Sequence, residues 1–249
     1  MTEQPPEPFE PVVEDWQTAV AIVAHPDDME YGGAAAVARW TGQGKTVVYV
    51  MVTSGEAGID SMDPEECRPL REAEQIASAR VVGVETVEFL GYPDGVVEYG
   101  LQLRRDIARV VRRHRPDIVI TSNFRETYGG VFLNQADHIA VGRATLDGVR
   151  DAGNRWVFRE LLDEGHEPWN GVRQIWAASS PEARHAVDTT GTFDLGVASL
   201  EKHKAYLAGL AGLGGAMADA REFLEGFGRG AGTRLGTRFA VPFEVFPLR

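Results

Sequence analysis

A single cysteine, Cys67, occurs in 249 residues, so neither an intrachain disulfide nor a cysteine-built metal cluster can staple the chain. A reactive thiol needs a nearby histidine or cation to lower its pKa. Cys67 instead follows Glu65 and Glu66 and reads as inert. No apolar run approaches the roughly 20 residues that cross a bilayer. The start of the chain, rich in proline and glutamate, lacks the basic segment and apolar core of a signal peptide. Residues 1–15 therefore read as a disordered tail on a cytoplasmic protein, and 16–249 as one α/β domain. Positive charge is also in deficit: 25 Lys and Arg face 37 Asp and Glu, a formal net charge of −12. Nucleic-acid binding relies on concentrated positive charge, which argues against such a partner. The first strand-to-helix turn has no G-x-G-x-x-G, so a dinucleotide site is not indicated. No G-x-S-x-G elbow supports a serine hydrolase either.

What is present is concentrated in Val20–Gly33, where an apolar run stops at His25-Pro26-Asp27-Asp28. A short apolar run ended by Pro and Gly reads as a buried strand emptying into a turn. If the backbone coils after Pro26, the i,i+3 spacing of His25 and Asp28 lets both side chains converge. Imidazole nitrogen and carboxylate oxygen are what zinc accepts, and Asp27 would then stand beside the ion without binding it. The plainer alternative is that Asp27 and Asp28 cap a helix.

The flanking pattern supplies a fold. Apolar Ala34–Trp40 reads as a helix and Lys45–Thr53 as a second buried strand, which makes a βαβ unit. Helices over Arg68–Val82 and around Leu103–Val111 alternate with strands over Val84–Leu90 and Asp117–Ser122. The expectation is a Rossmann-like, doubly wound α/β fold: a mostly parallel sheet flanked by helices, with ligands outside the carboxyl ends of the strands. Arg104, Arg105, Arg109, Arg112 and Arg113 read as a solvated helix face. From Asn154 onward the pattern coarsens into a C-terminal elaboration, with strands Ile175–Ala178, Ala186–Asp188 and Phe239–Phe246 and helices Phe193–Leu210 and Met217–Phe227. Trp156, Trp169 and Trp176 suit either a pocket wall or the core. His114, His166 and His185 have no ligand-like context.

Ala24-His25-Pro26-Asp27-Asp28, followed by Glu30 and Gly32-Gly33, resembles the signature of the zinc-dependent N-acetylglucosaminyl deacetylases, the family that includes GlcNAc-phosphatidylinositol de-N-acetylase. That family's second signature is His-Pro-Asp-His opening a helix, and here Gln135-Ala136-Asp137-His138 stands in that place. The resemblance implies His138 as a third zinc ligand beside His25 and Asp28, Asp27 as catalytic base, and Asp137 as the acid preceding the ligand. Gln135 departs from the pattern: an amide can donate to an oxyanion but cannot shuttle a proton. The resemblance also borders the substrate site with Glu56 and Arg71, although Arg71 equally suits an i,i+3 pairing with Glu74. His203 matches weakly a helix histidine of the family and is otherwise an ordinary core or surface residue. The implied reaction removes an N-acetyl group from a GlcNAc-like conjugate, a small-molecule partner, and self-association suits an enzyme of this size. The alternative is a non-catalytic α/β ligand-binding module that has lost its metal.

Overall fold

The computed structural model of the chain describes residues 7–212 and 216–248. Its elements run β1 (Glu10–Pro11), β2 (Thr18–Val23), α1 (Asp28–Gly32), α2 (Ala34–Gly42), β3 (Thr46–Met51), α3 (Pro64–Val81), β4 (Thr86–Phe89), α4 (Leu101–His114) and β5 (Ile118–Ser122). A hairpin of β6 (Thr127–Tyr128) and β7 (Phe132–Leu133) leads into α5 (Ala136–Ala152), α6 (Glu160–Asp163) and β8 (Gln174–Ala178). The chain ends with β9 (His185–Asp188), α7 (Phe193–Leu200), α8 (Lys204–Gly212), α9 (Ala220–Leu235) and β10 (Ala240–Pro247).

β2 explains the architecture. Ala19 to Val23 have no solvent exposure, and their side chains alternate between two cores. Ala19, Ala21 and Val23 pack with Trp16, Trp40 and Trp176, while Val20 and Ile22 pack with Leu103, Ile107 and Val141 of α4 and α5. A strand apolar on both faces is stable only when helices cover both sides, the condition that favours parallel sheets. Each Val or Ile so enclosed contributes about 1.5–3 kcal/mol relative to an exposed one.

The large sheet has the order β1-β9-β10-β8-β5-β2-β3-β4. β4, β3, β2, β5 and β8 are parallel neighbours, and β10 lies antiparallel between β8 and β9. The chain builds outward from β2 through β3 to β4, then returns to the other side of β2 with β5. The strand order reverses between β2 and β5, and open α/β sheets take their ligands beyond the carboxyl ends at such a switch point.

Several expectations need correction. Residues 7–15 are not a disordered tail: Phe9 is buried among Ala183, Ala186, Ala231 and Ala240, and β1 pairs with β9. The apolar anchor and a Pro tolerated on an edge strand account for this, and residues 1–6 lie outside the described span. α3 begins at Pro64 because Asp63 accepts the Glu65 N–H ahead of a proline in the first turn. The helix expected over Phe193–Leu210 is two, α7 and α8, separated at residues 201–203. Arg112 is not solvated: it is buried and donates to the carbonyls of Ala152 (3.1 Å), Asn154 (2.8 Å) and Val157 (3.1 Å), closing the end of α5. Trp176 belongs to the core, whereas Trp156 is exposed.

Candidate metal centre

Ends of four successive parallel strands supply the site. His25, Asp27 and Asp28 follow β2, the Thr53–Glu56 loop follows β3, Asp94 follows β4, and Asn134 to His138 follow β5 through the hairpin. The chain leaves β2 sharply because Asp27 adopts a left-handed backbone, φ 87° and ψ −18°, immediately before α1. Asp28 Oδ2 accepts the His25 N–H at 2.9 Å, which fixes the carboxylate beside the ring.

Three donor atoms then converge. His138 Nε2 is 2.9 Å from Asp28 Oδ1 and 3.1 Å from His25 Nδ1, and His25 Nδ1 is 3.8 Å from Asp28 Oδ2. A tetrahedral ion with ligands about 2.0–2.1 Å away separates its ligand atoms by roughly 3.3 Å, so these spacings fit zinc. The three side chains are only 12, 7 and 9 % exposed for His25, Asp28 and His138.

Both rings are turned by their outer nitrogens. Asn134 Nδ2 donates to the carbonyls of Asn123 and Arg125, so its Oδ1 faces His138 Nδ1 at 2.8 Å and leaves Nε2 pointing inward. His25 Nε2 lies 3.1 Å from Asp94 Oδ1 and 3.3 Å from Asp137 Oδ2, which directs Nδ1 inward. Such outer hydrogen bonds set tautomer and ligand basicity at metal sites. Asp137 also accepts the N–H groups of Gly95 (2.7 Å) and Val97 (3.0 Å). Its carboxylate is thus engaged with the ring and the backbone. His25, Asp94 and Asp137 form a second converging group, but through the outward nitrogen of the same ring.

The electrostatics ask for positive charge. Burial opposes a charged His25, yet hydrogen bonds to Asp137, Asp28 and Asp94 outweigh it and raise its pKa well above the ordinary value. Burial likewise pushes the Asp28 carboxyl up, but His138 and His25 prevail and hold it well below the usual range. A divalent cation held between these groups would supply the same positive charge.

Asp27 stands beside this centre. Arg71 Nη2 donates to its Oδ2 at 2.6 Å and to the Pro26 carbonyl at 2.7 Å. Burial raises the Asp27 pKa by more than Arg71 and His203 lower it. Arg71 is 1 % exposed, with Glu74 at 3.9 Å and the Tyr206 ring 4.0 Å from its guanidinium carbon. Of the other expected residues, buried Glu56 accepts from Arg68 (2.6 Å) and from the N–H groups of Ser54 and Asp94, shaping the loop. His203 is fully enclosed, 3.7 Å from Glu30, and offers no exposed surface to a substrate. Gln135 is exposed at the start of α5, and its side chain makes no capping bond. Cys67 is buried, and burial pushes its thiol up. Sequence reasoning missed Asp94 and Asn134 as partners of the histidines, and Tyr128, whose hydroxyl is 3.3 Å from His138 Nδ1. Only Asn134 had a local signal, four residues before His138 and facing the first turn of α5.

Known proteins share this arrangement of chain. A family model described as PIG-L: GlcNAc-PI de-N-acetylase matches residues 20–149, from β2 through most of α5. Diacetylchitobiose deacetylase of Thermococcus kodakarensis is 26% identical over 200 residues, covering 80% of this chain and 72% of that protein. A 1D-myo-inositol 2-acetamido-2-deoxy-α-D-glucopyranoside deacetylase of Kineococcus radiotolerans is 28% identical over 202 residues, 65% of this chain and 51% of that one. This chain therefore spans about half the length of the latter. Among solved structures, N,N'-diacetylchitobiose deacetylase of Pyrococcus horikoshii superposes with a TM-score of 0.84 at 24% identity, over 94% of this chain and 85% of that one. The 4-carboxy-2-hydroxymuconate hydratase of Pseudomonas putida superposes at 0.74 with 17% identity, covering 94% and 97%, so this backbone also carries unrelated chemistry. The family match covers more than half of the chain and includes His25, Asp28 and His138: the chain belongs to the GlcNAc-PI de-N-acetylase (PIG-L) family.

Proposed function

We propose that the protein is a zinc-dependent hydrolase that removes an N-acetyl group from a GlcNAc-like amino-sugar conjugate, releasing acetate and a free amine. The observation that carries this reading is the convergence of His25 Nδ1, Asp28 and His138 Nε2 beside the buried carboxylate of Asp27. Two imidazoles and one carboxylate leave a tetrahedral ion an open position, the pattern of catalytic rather than structural zinc. An ion held there would lower the pKa of a water and polarise the amide carbonyl.

The chain's own residues do the rest. Asp27 accepts a proton from the attacking water as the new C–O bond forms, and returns it to the nitrogen as the C–N bond breaks. Arg71 holds Oδ2 of that carboxylate, and no hydrogen bond falls on Oδ1 among the described residues, which leaves Oδ1 for proton transfer. Asp94, Asp137 and Asn134 keep both imidazoles turned towards the centre. Gln135, exposed at the start of α5 three residues before His138, is assigned the role of hydrogen-bond donor to the developing oxyanion or the sugar. Glu56 acts indirectly by shaping the β3 loop, and Arg71 acts through Asp27 rather than by touching the sugar.

The named relatives act on diacetylchitobiose and on an inositol-linked acetamido sugar, which differ in aglycone and share the acetamido sugar. That shared unit is the substrate class proposed here. A small glycoside rather than nucleic acid agrees with the net charge of −12. No described helix is long and apolar enough to cross a membrane. A cytoplasmic location and self-association complete the proposal. The test is acetate release from N,N'-diacetylchitobiose and a panel of other N-acetylglucosaminides, with loss of activity in a chelator and recovery on adding zinc. Zinc-loaded protein that releases acetate from no member of the panel contradicts the reading.

A further inference from the structure

Asp27 occupies backbone space that a residue with a Cβ visits rarely, at φ 87°. Such a conformation persists only where its surroundings over-determine it. Arg71 grips its carboxylate and, through the Pro26 carbonyl, one side of the Pro26–Asp27 peptide, leaving the N–H on the other side to be held. The second grip is on the amide: the Asp27 N–H donates to Gln75 Oε1 at 2.9 Å. Gln75 has no exposed surface, and its Nε2 donates to Glu30 Oε1 at 3.1 Å. The two contacts fix the amide's orientation. A flipped Gln75 would set its NH2 against the Asp27 N–H and its oxygen against a carboxylate.

Glu30 is itself held. Ser78 Oγ donates to Glu30 Oε1 at 2.8 Å, and His203 Nε2 lies 3.7 Å from Oε2. Residues 71, 75 and 78 share one face of α3 by helical spacing. One helix face therefore holds the Asp27 carboxylate, the Asp27 amide and the acid behind them. No described hydrogen bond links Gln75 to His25, Asp28 or His138, so its removal does not strip the metal ligands of their partners.

We infer that Gln75 is a positioning residue that holds Asp27 in its left-handed conformation and so aims the carboxylate at the reacting water. The inference rests on the reading of Asp27 as the base. Gln75→Met is similar in size to Gln75 but can neither accept from the Asp27 N–H nor donate to Glu30. Gln75→Glu keeps an acceptor for that N–H and, protonated on its other oxygen, a donor to Glu30.

Two readouts test this, neither explained by a general loss of packing. The first is amide hydrogen exchange in metal-free protein. The Asp27 amide is expected to exchange at least tenfold faster in Gln75→Met than in wild type, with protection recovered in Gln75→Glu. The second is steady-state kinetics on an N-acetylglucosaminide that the wild type hydrolyses. Gln75→Met is expected to bind zinc as the wild type does, with KM within about twofold and kcat lowered roughly 10–100-fold, the range of a disturbed catalytic geometry. Gln75→Glu is expected to regain part of kcat. If Gln75→Met does not fold, Gln75→Asn replaces it, with a shortened reach and changes in the same directions. Wild-type exchange and kcat in a folded, zinc-loaded Gln75→Met or Gln75→Asn overturn the inference while leaving the deacetylase reading intact. A zinc-loaded wild type that hydrolyses no N-acetylglucosaminide overturns that reading and this inference with it.

Discussion

His25 shows how individual contacts become a property of the site. Its outer nitrogen faces Asp94 and Asp137, and its inner nitrogen faces Asp28 and His138. In metal-free protein its pKa is raised, so its stabilising contribution is full below the unfolded value of about 6.5 and is lost as pH rises through the folded one. The carboxyls of Asp28, Asp94 and Asp137 are lowered despite burial, chiefly by the histidine contacts. Their contribution is present above about 3.9 and lost as pH falls through the folded values. Thermal melts in chelator should therefore show greatest site-derived stability between these limits. His25→Gln should flatten the alkaline side, and an unchanged profile contradicts the assignment. Asn134→Ala is expected to weaken zinc binding about 10–100-fold by releasing the His138 ring, measured by competition with a chromogenic chelator. Unchanged affinity would mean that Asn134 does not orient His138. His25 and Asp28 were legible in the sequence because they stand at i and i+3, and His138 because a half-preserved motif opens its helix. Asp94 was not, since its turn is ordinary in sequence and meets His25 only once β4 lies beside β3.

At the scale of elements, α5 carries His138 at one end and is held against α4 along its length. A Cβ on Gly148 would stand 2.7 Å from Ile107 Cγ2 and 3.0 Å from the Arg104 carbonyl. Gly148→Ala should therefore destabilise the fold by about 1–3 kcal/mol through overpacking, read by urea denaturation. A midpoint equal to wild type would mean that the helix crossing has slack. The apolar stripe of α4 could be read from Leu103, Ile107, Val110 and Val111. Burial of Arg112 could not, because its partners are carbonyls at and beyond the end of α5, outside its own helix. The α7–α8 break was equally hidden: enclosure of His203 between the two helices depends on Glu30, far away in sequence.

Over the whole molecule, strand-helix alternation made the parallel core readable, and the reversal of strand order between β2 and β5 placed the site. Antiparallel β10, wedged between β8 and β9, and the edge strand β1 were less accessible, since both depend on long-range pairing. Likeness of backbone to both a deacetylase and a hydratase means that the reaction must be argued from side chains. The most direct measurement is zinc content together with acetate release from an N-acetylglucosaminide, for wild type, His138→Ala and Asp27→Asn. The account predicts about one zinc per chain and turnover in wild type, loss of both in His138→Ala, and zinc retained with most turnover lost in Asp27→Asn. Full activity in Asp27→Asn, or zinc retained at wild-type level in His138→Ala, would contradict it.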